Sequence, residues 1–300
     1  MANAIQTVSK YLPYLDQVYA YASRSAILDT AGDLVRETAD AKTVLIAKTS
    51  MEGLGDYDRS GEKGFVNGNV SLTWESHTLT NDRGRSFQID AMDDAETMGV
   101  AFGTLAGEFL RTKVAPEIDA VRFSNYALKA GLTKAGTVTK ANVIDEIDAA
   151  VTEMKENEVD LTGAVLFLTP TIYTAIKQSD KFSRPLTPGE NPNRNFGMYD
   201  GELLIVEVPQ SRFYKGVDLQ DGTTSGQEAG GYEMSADGAE INFMIVTPAA
   251  VIQLTKHAKM RVFDPDTNQA ADAYKIDYRI YHDAWVLENK VKGIFAHTKA

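Results

Sequence analysis

The stretch that decides the fold is residues 85–130, RSFQIDAMDDAETMGVAFGTLAGEFLRTKVAPEIDAVRFSNYALKA. It opens with apolar Phe87 and Ile89 alternating with polar residues, which predicts a strand. The acidic cluster at 93–96 then favours the start of a helix, because negative charge stabilises the positive end of the helix dipole. A helix from there to Ala130 would span on the order of 50 Å at about 1.5 Å per residue, which is unusually long for a globular domain.

The predicted helix carries an apolar stripe and one proline. The stripe repeats at helical spacing and consists of Met98, Phe102, Leu105 and Phe109. Pro116 should bend this helix or break it in two, because proline lacks a backbone donor and clashes with the preceding turn. Glycines recur every four residues along one side, at Gly99, Gly103 and Gly107. Since each costs roughly 1 kcal/mol relative to alanine, we interpret them as a place of close backbone packing.

Before this stretch, residues 43–90 predict a long β-arm. Residues 43–51 are β-like, and apolar and polar residues alternate over 70–74, so the two runs are expected to pair. Between them, residues 52–68 are rich in glycine and charge and have too little apolar surface to pack alone, which predicts a flexible hairpin tip. Because an isolated two-stranded ribbon is only marginally stable in water, the arm should need another surface.

Residues 1–42 contain a short, weakly amphipathic helical patch. Pro13 suits a first-turn position. The apolar residues that follow at helical spacing are Tyr14, Leu15, Val18 and Ala22. This segment is expected to form an N-terminal arm, and the sequence leaves open whether the arm docks on its own core or on a neighbouring molecule.

After the long helix, helices and buried strands alternate. A second helix is expected after Thr139, with an apolar face of Val143, Ile144, Ile147, Val151 and Met154. Residues 164–168 predict a buried strand, and Thr169 and Pro170 suit the N-cap and first position of a following helix. Further apolar strands are expected at residues 203–208 and 241–246. The predicted fold class is α+β with a small central sheet.

Two polar stretches interrupt this domain, residues 181–202 with several prolines and residues 215–240 with many glycines and carboxylates. Both are expected to be exposed loops. Beyond Pro265 the sequence again predicts strands, at residues 274–281 and 284–297. We expect this C-terminal tail to pair with the strands that flank the long helix.

The composition is that of a folded protein and excludes several kinds of chemistry. The 300 residues are 43% hydrophobic and contain no cysteine, so a disulfide framework, a thiolate metal site and a cysteine nucleophile are excluded. A net charge of -12 argues against sequence-specific nucleic-acid binding, which needs clustered lysine and arginine. No run of about eighteen apolar residues occurs, so a membrane span is not expected.

No motif of a nucleotide-binding loop, a serine hydrolase or a metalloprotease occurs. The histidines are scattered without metal-ligand spacing, at His77, His257, His282 and His297. The nearest approach to a calcium loop is Asp56, Asp58, Ser60 and Gly61. Its twelfth position is Asn67 instead of the bidentate carboxylate, and the similar start at Asp264 lacks the required glycine. No catalytic, cofactor-binding or metal-binding residue is therefore predicted, and no cofactor or enzymatic activity.

The order of these parts resembles the major capsid proteins of tailed bacteriophages, which have the Hong Kong 97 fold. The segments that carry the resemblance are RSFQIDAMDDAETMG (85–99), VAPEIDAVRFSNYAL (114–128), LFLTPTIYTAIKQSDKF (166–182), LLIVEVPQSRFY (203–214) and the tail 243–297. In chain order they reach from residue 85 to residue 297 and comprise 114 of the 300 residues. The resemblance implies an N-terminal arm (1–42), an extended β-loop reaching over an adjacent subunit (43–90), a spine helix of a peripheral domain (91–136), a central axial α+β domain (137–255) and return strands of the peripheral domain (256–300).

By this resemblance the chain would be a structural protein that self-assembles into hexamers and pentamers of an icosahedral phage head around double-stranded DNA, built in the bacterial host cytoplasm. Its partners would be copies of itself, a scaffolding protein, a portal, head-completion or decoration proteins, and packaged DNA through non-specific contacts. The scaffold is expected to be a separate protein, since the chain starts too close to the arm to contain one. Some relatives crosslink subunits through a lysine and an asparagine, and Lys63 is the candidate here, with no identified partner.

Two other functions stay open at this point. The same fold could form an encapsulin-like bacterial compartment around protein cargo, although the phage-like tail favours a phage head. A cytosolic α+β enzyme with an unrecognised site is the alternative from a different class.

Overall fold

The computed structural model describes residues 23–29, 35–37, 42–57, 59, 64–91, 107–179, 187–188 and 197–300. The chain divides into two compact units, Ala31–Asp82 and the combination of Met1–Thr30 with Arg83–Ala300. The helical patch predicted before residue 23 lies outside the described residues, as do Gly99 and Gly103 of the long helix.

The smaller unit is an antiparallel sheet in the order β1-β2-β3. Its strands are β1 (Val35–Glu37), β2 (Thr43–Met51) and β3 (Val70–Thr78). β2 and β3 pair along their whole length, with Thr43 opposite Thr78 and Met51 opposite Val70. The predicted pairing is confirmed, and we call residues 43–78 the ribbon. Its buried apolar residues lie at one end, at Val44 and Ile46.

The larger unit contains three α-helices and eleven strands among the described residues, and the first of these strands begins two residues before the Arg83–Ala300 part of the unit. In chain order they are β4 (Asn81–Asp90), α1 (Ala115–Lys129), β5 (Leu132–Ala135), α2 (Val143–Glu156), β6 (Val165–Leu168), α3 (Pro170–Lys177), β7 (Thr187–Pro188), β8 (Gly197–Tyr199), β9 (Leu203–Glu207), β10 (Tyr214–Gln220), β11 (Gly231–Val246), β12 (Val251–Phe263), β13 (Ala273–Val286) and β14 (Ile294–Thr298). The predicted second helix, the strand at 164–168 and the helix after Pro170 are confirmed. As predicted, Thr169 caps α3, because its side chain accepts a hydrogen bond from the Ile172 backbone N–H at 3.4 Å.

The central sheet orders its described strands β5-β14-β11-β6-β9-β8-β7, with β10 paired to β11. Alternate residues of β6 point into two cores on opposite faces of the sheet: Leu166 and Leu168 pack with α2 and α3, whereas Val165 and Phe167 pack with α1. The ring of Phe123 from α1 meets Phe167 edge-on at 4.9 Å. The strand is therefore buried on both faces, and this explains its uninterrupted apolar run.

The helical backbone continues through the region of the proline without a break. A π-helical turn, Leu110–Val114, leads directly into α1, and the Ala115 N–H bonds to the Leu110 carbonyl five residues back. Such a widened turn relieves the clash that a proline ring makes with the carbonyl four residues before it. Pro116 is buried in the first turn of α1 and the helix is not broken in two at this residue; the other expected outcome, a bend, stays a prediction.

The third sheet has the order β12-β13-β4 and packs on residues 109–118 of the helical segment. β12 and β13 pair from Val251 opposite Val286 to Phe263 opposite Lys275. β13 thus lies beside β4, the strand that precedes the long helix. β14 runs parallel to β5, the strand that follows this helix. The prediction that the tail pairs with the flanking strands is confirmed. The predicted strand at 284–297 is wrong over residues 288–293, which form a 3-10 helix. β12 was expected only as part of the return strands at 256–300, and it begins at Val251.

Residues 215–240 were predicted to be an exposed loop, and this prediction is wrong. They form most of an antiparallel hairpin, in which β10 pairs with β11 from Tyr214 opposite Glu240 to Gln220 opposite Gly231. The strand register shifts at a bulge beside Gly216, whose φ of +93° is readily adopted by glycine. The bulge interrupts the two-residue alternation of side chains by which a strand is recognised in a sequence. Asp218 also lies opposite Glu233, a like-charged pair that is unusual in paired strands.

The other predicted loop, residues 181–202, is only partly described. Two short strands lie within it, β7 and β8, with Thr187 opposite Met198. The loop prediction is therefore wrong at these positions. The backbone turns at Asp200 and Gly201, both with positive φ, before β9 begins.

Candidate assembly surfaces

The ribbon has two unlike faces. In an antiparallel pair, directly opposed residues share a face. One face carries the pairs Met51–Val70, Thr49–Leu72 and Ala47–Trp74, and the other carries Ser50–Ser71, Lys48–Thr73 and Ile46–Glu75. We call them the apolar face and the polar face. On the polar face Lys48 Nζ lies 2.9 Å from Glu75 Oε1 in an ion pair.

The apolar face is exposed towards the tip of the ribbon. The exposed fractions are 73% for Met51, 74% for Val70 and 57% for Leu72, with Trp74 at 39%. Of the ten large apolar side chains that are exposed among the described residues, eight lie in the ribbon. This concentration exceeds what a monomeric surface normally tolerates, and it marks a candidate interaction surface.

The tip of the ribbon has some structure of its own. Glu52 accepts hydrogen bonds from the Asn69 backbone N–H and from its side-chain amide, both at 3.0 Å, and these bonds lower the pKa of Glu52. Beyond this closure the rings of Tyr57 and Phe65 meet edge-on with centroids 4.8 Å apart. Both rings are still more than half exposed. Lys63, the predicted crosslinking candidate, lies outside the described residues.

In the larger unit a buried carboxylate anchors the segment 23–29 to α1. Asp119 is fully buried and accepts hydrogen bonds from Ser23 Oγ (2.7 Å), Ser25 Oγ (2.7 Å) and the Arg24 backbone N–H (2.9 Å). Arg212 Nη1 also reaches Asp119, at 3.2 Å. A buried charge is tolerated only when its hydrogen bonds are satisfied, so this set of donors fixes the place where the N-terminal segment meets the core.

A second buried polar group lies beside this carboxylate. Arg122 donates to Ser25 Oγ at 3.0 Å and lies 3.3 Å from Asp29. Burial raises the pKa of Asp29, and the positive charge of Arg122 offsets only part of this rise. Gln253 donates to the Ser25 carbonyl at 3.2 Å and to the Tyr126 hydroxyl at 2.7 Å. Four elements distant in sequence are thus held together by polar contacts in an otherwise apolar interior.

Arg83 ties β4 to α1 and to the β10–β11 hairpin. Its Nε lies 2.6 Å from Glu117 Oε1, and its two terminal nitrogens donate to the carbonyls of Gln220 (2.8 Å) and Gly231 (3.2 Å). Because Gln220 and Gly231 are paired where the hairpin strands end, one guanidinium fixes both strands at once. Arg85 donates in addition to the Glu228 carbonyl at 3.0 Å.

An open cleft of about 940 Å³ lies between β4, the π-helical turn, β13 and the hairpin. Its apolar lining is Phe87, Phe109, Val114, Ile118, Tyr278 and Ile280, and its basic residues are Arg83, Arg85, Arg111, Lys113 and Arg212. Three acidic residues, Glu108, Glu117 and Asp221, also line it. The cleft therefore combines an apolar surface with an excess of positive charge, in a chain that is acidic as a whole.

His282 lies in the lining of this cleft and is 1% exposed. The pKa of His282 is lowered to about 3, mainly by burial and also by the nearby positive charges of Arg122 and Arg83. The imidazole is therefore neutral near pH 7. Its Nδ1 atom is buried without a hydrogen-bond partner in the described structure.

The described histidines form no candidate metal site. His297 is buried against Asn242, with its Nδ1 3.1 Å from the amide nitrogen, and no group of three or more His, Asp or Glu side chains in the described ranges is placed to hold a metal. Asp58, Ser60 and Gly61 lie outside those ranges. In the part of the chain that the structure describes, no helix is long and apolar enough to cross a membrane.

Solved structures share this fold at low sequence identity. The head structure of Helicobacter pylori bacteriophage KHP40 matches with a TM-score of 0.60 and 11% identity over 93% of this chain and 90% of that chain. A structure from Gordonia phage Cozz matches with a TM-score of 0.59 and 13% identity, over 92% and 86%. The asymmetric unit of the bacteriophage PhiM1 mature capsid gives 0.56 and 14%, over 86% and 82%.

These likenesses establish the fold. The chain has the α+β fold of phage capsid structures, as the resemblance in its sequence implied. No family model matches the sequence, and no curated protein matches it.

Proposed function

We propose that this chain is the major capsid protein of a tailed bacteriophage, a structural subunit that assembles with copies of itself into the hexamers and pentamers of an icosahedral head around double-stranded DNA. The observation that carries the proposal is the match to phage capsid structures over nine tenths of the chain. The exposed apolar face of the ribbon supports it, since a subunit that is complete only in an assembly must present such a surface.

The parts of the chain have separate roles in this proposal. The ribbon is the extended loop that reaches an adjacent subunit, and α1 with the β12-β13-β4 sheet is the peripheral domain. The central sheet with α2 and α3 is the axial domain that meets its copies around the five-fold and six-fold centres. Assembly in the host cytoplasm would use a separate scaffolding protein, and a portal would occupy one vertex.

The test is assembly itself. The chain co-expressed with a scaffolding protein should form closed shells or capsomers, visible by negative-stain electron microscopy and separable by sedimentation. A monodisperse monomer under all assembly conditions would contradict the proposal. Closed shells that form without a scaffolding protein and retain an enzyme would instead indicate a compartment for enzyme cargo.

Deleting residues 52–68 tests the role of the ribbon. The described part of this segment contributes no buried side chain, so the variant should fold like the parent chain but fail to close shells. Circular dichroism and analytical ultracentrifugation measure the two properties. A Gly/Ser segment of equal length is the matched control, because it keeps the reach and removes the apolar tip. Normal shells from the deletion would remove the ribbon from the assembly mechanism.

A further inference from the structure

Two pairs of like charges lie directly opposite each other on the surface of the larger unit. On the β10–β11 hairpin Asp218 lies opposite Glu233, and on the third sheet Lys259 lies opposite Arg279. All four residues are exposed. Directly opposed like charges destabilise a pair of strands, so each pair costs the isolated subunit free energy that nearby charges of the other sign would offset.

The acidic pair lies on the outward face of the hairpin. The adjacent pair Leu219–Tyr232 alternates to the other face, where the Tyr232 hydroxyl donates to the Ser211 carbonyl at 2.9 Å. No described residue forms an ion pair or a hydrogen bond with the side chain of Asp218 or Glu233. Both carboxylates are therefore available to a basic surface of another molecule.

The basic pair belongs to a larger basic surface on β12 and β13, which we call the basic face. Over residues 257–263 and 275–281 this face carries one carboxylate, Asp277, and four basic residues, Lys259, Arg261, Lys275 and Arg279. The carboxylate lies 3.3 Å from Lys275 Nζ. Lys259 and Arg261 are exposed and form no ion pair with a described residue. The basic face thus carries an excess of positive charge in a chain with a net charge of -12.

The acidic pair and the basic face of one chain cannot meet each other. Tyr278 and Ile280 alternate with Arg279 along β13, and they line the cleft that separates the third sheet from the hairpin. The basic face is therefore on the side of the sheet turned away from the hairpin of its own chain. A contact between two unlike surfaces of identical chains joins separate copies, and it closes into a ring when the rotation allows.

We propose that the acidic pair on the hairpin of one copy meets the basic face of a second copy. This inference rests on the proposed function and adds to it a specific contact between subunits. Exposed ion pairs contribute little affinity, but complementary charges raise the rate of productive encounter and disfavour wrong orientations. Because acidic copies repel each other overall, the basic face gives two copies an orientation in which they attract.

Two charge reversals test the contact without removing buried groups. The hairpin reversal, Asp218→Lys with Glu233→Lys, keeps a like-charged cross-strand pair. The sheet reversal, Lys259→Glu with Arg261→Glu, keeps one favourable and one unfavourable cross-strand pair, because the residues opposite carry unlike charges. Both variants should therefore fold like the parent chain, and circular dichroism checks this.

The measurement is the rate of shell assembly of the full-length chain with its scaffolding protein, followed by light scattering at low ionic strength. Each reversal alone should slow assembly about tenfold, since electrostatic steering changes association rates by this order or more. The variant with both reversals should assemble within about threefold of the parent rate, because the charges are again complementary with their signs exchanged.

The matched control joins the hairpin reversal to Lys290→Glu and Lys292→Glu, two exposed residues outside the third sheet. It has the same net charge as the variant with both reversals and should stay slow. Equal recovery in this control would mean that net charge alone sets the rate, which overturns the proposal.

The remaining outcomes also decide the proposal. If both single reversals assemble normally, or if combining them restores nothing, the two surfaces do not meet. Slow assembly from the sheet reversal alone would mean that the basic face binds another anion, such as packaged DNA, which also overturns the contact. In these cases the parent chain still forms shells and the proposed function stands. A parent chain that forms no shells contradicts the proposed function, and the contact fails with it.

Discussion

The central sheet and the ribbon are built from similar apolar strands, but only the sheet is covered by its own chain along the whole length of its inner strands, whereas the ribbon is covered at one end, at Val44 and Ile46. All four residues of β6 are no more than 2% exposed, because α1 packs on one face of the strand and α2 and α3 on the other. In β3, Val70 and Leu72 are 74% and 57% exposed. The same residue types are therefore buried and stabilising in the central sheet, whereas in the outer part of the ribbon they stay exposed and available for contact with another molecule.

This difference separates stability from assembly. Burial of apolar surface stabilises a protein by about 25 cal/mol per Å². Because the strands of the central sheet are already buried in the isolated subunit, this free energy stabilises the monomer. The exposed residues of the ribbon gain it only when another molecule covers them. Substitutions in the central sheet should then lower the free energy of unfolding of the isolated subunit, whereas substitutions on the exposed ribbon should weaken assembly. A residue that behaves in the opposite way would contradict this distinction.

The largest expected effect on stability is in the central sheet. Phe167→Ala should lower the free energy of unfolding by about 3–5 kcal/mol, because it removes a fully buried ring that contacts Phe123. Leu72→Ala should change it by less than about 0.5 kcal/mol and weaken shell assembly instead. The chain has two tryptophans. In a Trp74→Phe background, urea unfolding followed by the fluorescence of Trp285 reports the larger unit alone.

The control is Phe167→Leu, which keeps most of the buried volume and should cost less than the alanine variant. Equal losses of stability from Phe167→Ala and Leu72→Ala would mean that the ribbon contributes to the folded monomer as much as the sheet does. The comparison between the two regions would then be wrong.

A smaller effect is expected from the buried carboxylate. Asp119→Asn keeps the size of the side chain but removes the charge that Ser23, Ser25 and Arg212 satisfy, so we expect a loss of about 2–3 kcal/mol. Hydrogen exchange of residues 23–29 should increase with it. Asp218→Asn, on the exposed part of the hairpin, is the matched control and should change stability by less than about 0.5 kcal/mol. An unchanged exchange rate at 23–29 would show that this carboxylate does not hold the N-terminal segment.

Much of the fold was accessible from local patterns in the sequence. The bounds of β2, the apolar face of α2 and the Thr169 cap of α3 each follow from spacing or capping chemistry over a few residues. The β10–β11 hairpin was missed for a physical reason. Its outer part is half-buried or exposed with no fully buried side chain, so no clear apolar alternation exists there, and the bulge at Gly216 interrupts the period.

The polar interior could not be predicted from local patterns, because its members are far apart in sequence. Ser25 and Asp119 are separated by 94 residues, and Ser25 and Gln253 by 228. One signal was available: Asp119 and Arg122 stand one helical turn apart among the apolar residues Ile118 and Phe123. Charged residues on the apolar stripe of a helix indicate buried partners, since a buried charge without them is strongly unfavourable.

The smallest effect we expect is a pH dependence that belongs to the larger unit only. His282 has a pKa of about 3 in the folded chain and an ordinary value of 6.5 when unfolded. Between these values the unfolded chain binds a proton that the folded chain does not, so stability is lost as the pH falls below about 6.5. At about 1.4 kcal/mol per pH unit, the loss of stability at pH 5 is about 2 kcal/mol.

His282→Gln should flatten this slope in urea titrations followed at Trp285, while His257→Gln, at a half-buried site on β12, should not. In a Trp285→Phe background the fluorescence of Trp74 reports unfolding of the ribbon. The free energy of unfolding measured in this way should not show the pH dependence, because His282 lies in the other unit. A parallel acid response of both tryptophans would mean that the two units unfold together, and the ribbon would then draw its stability from the same core.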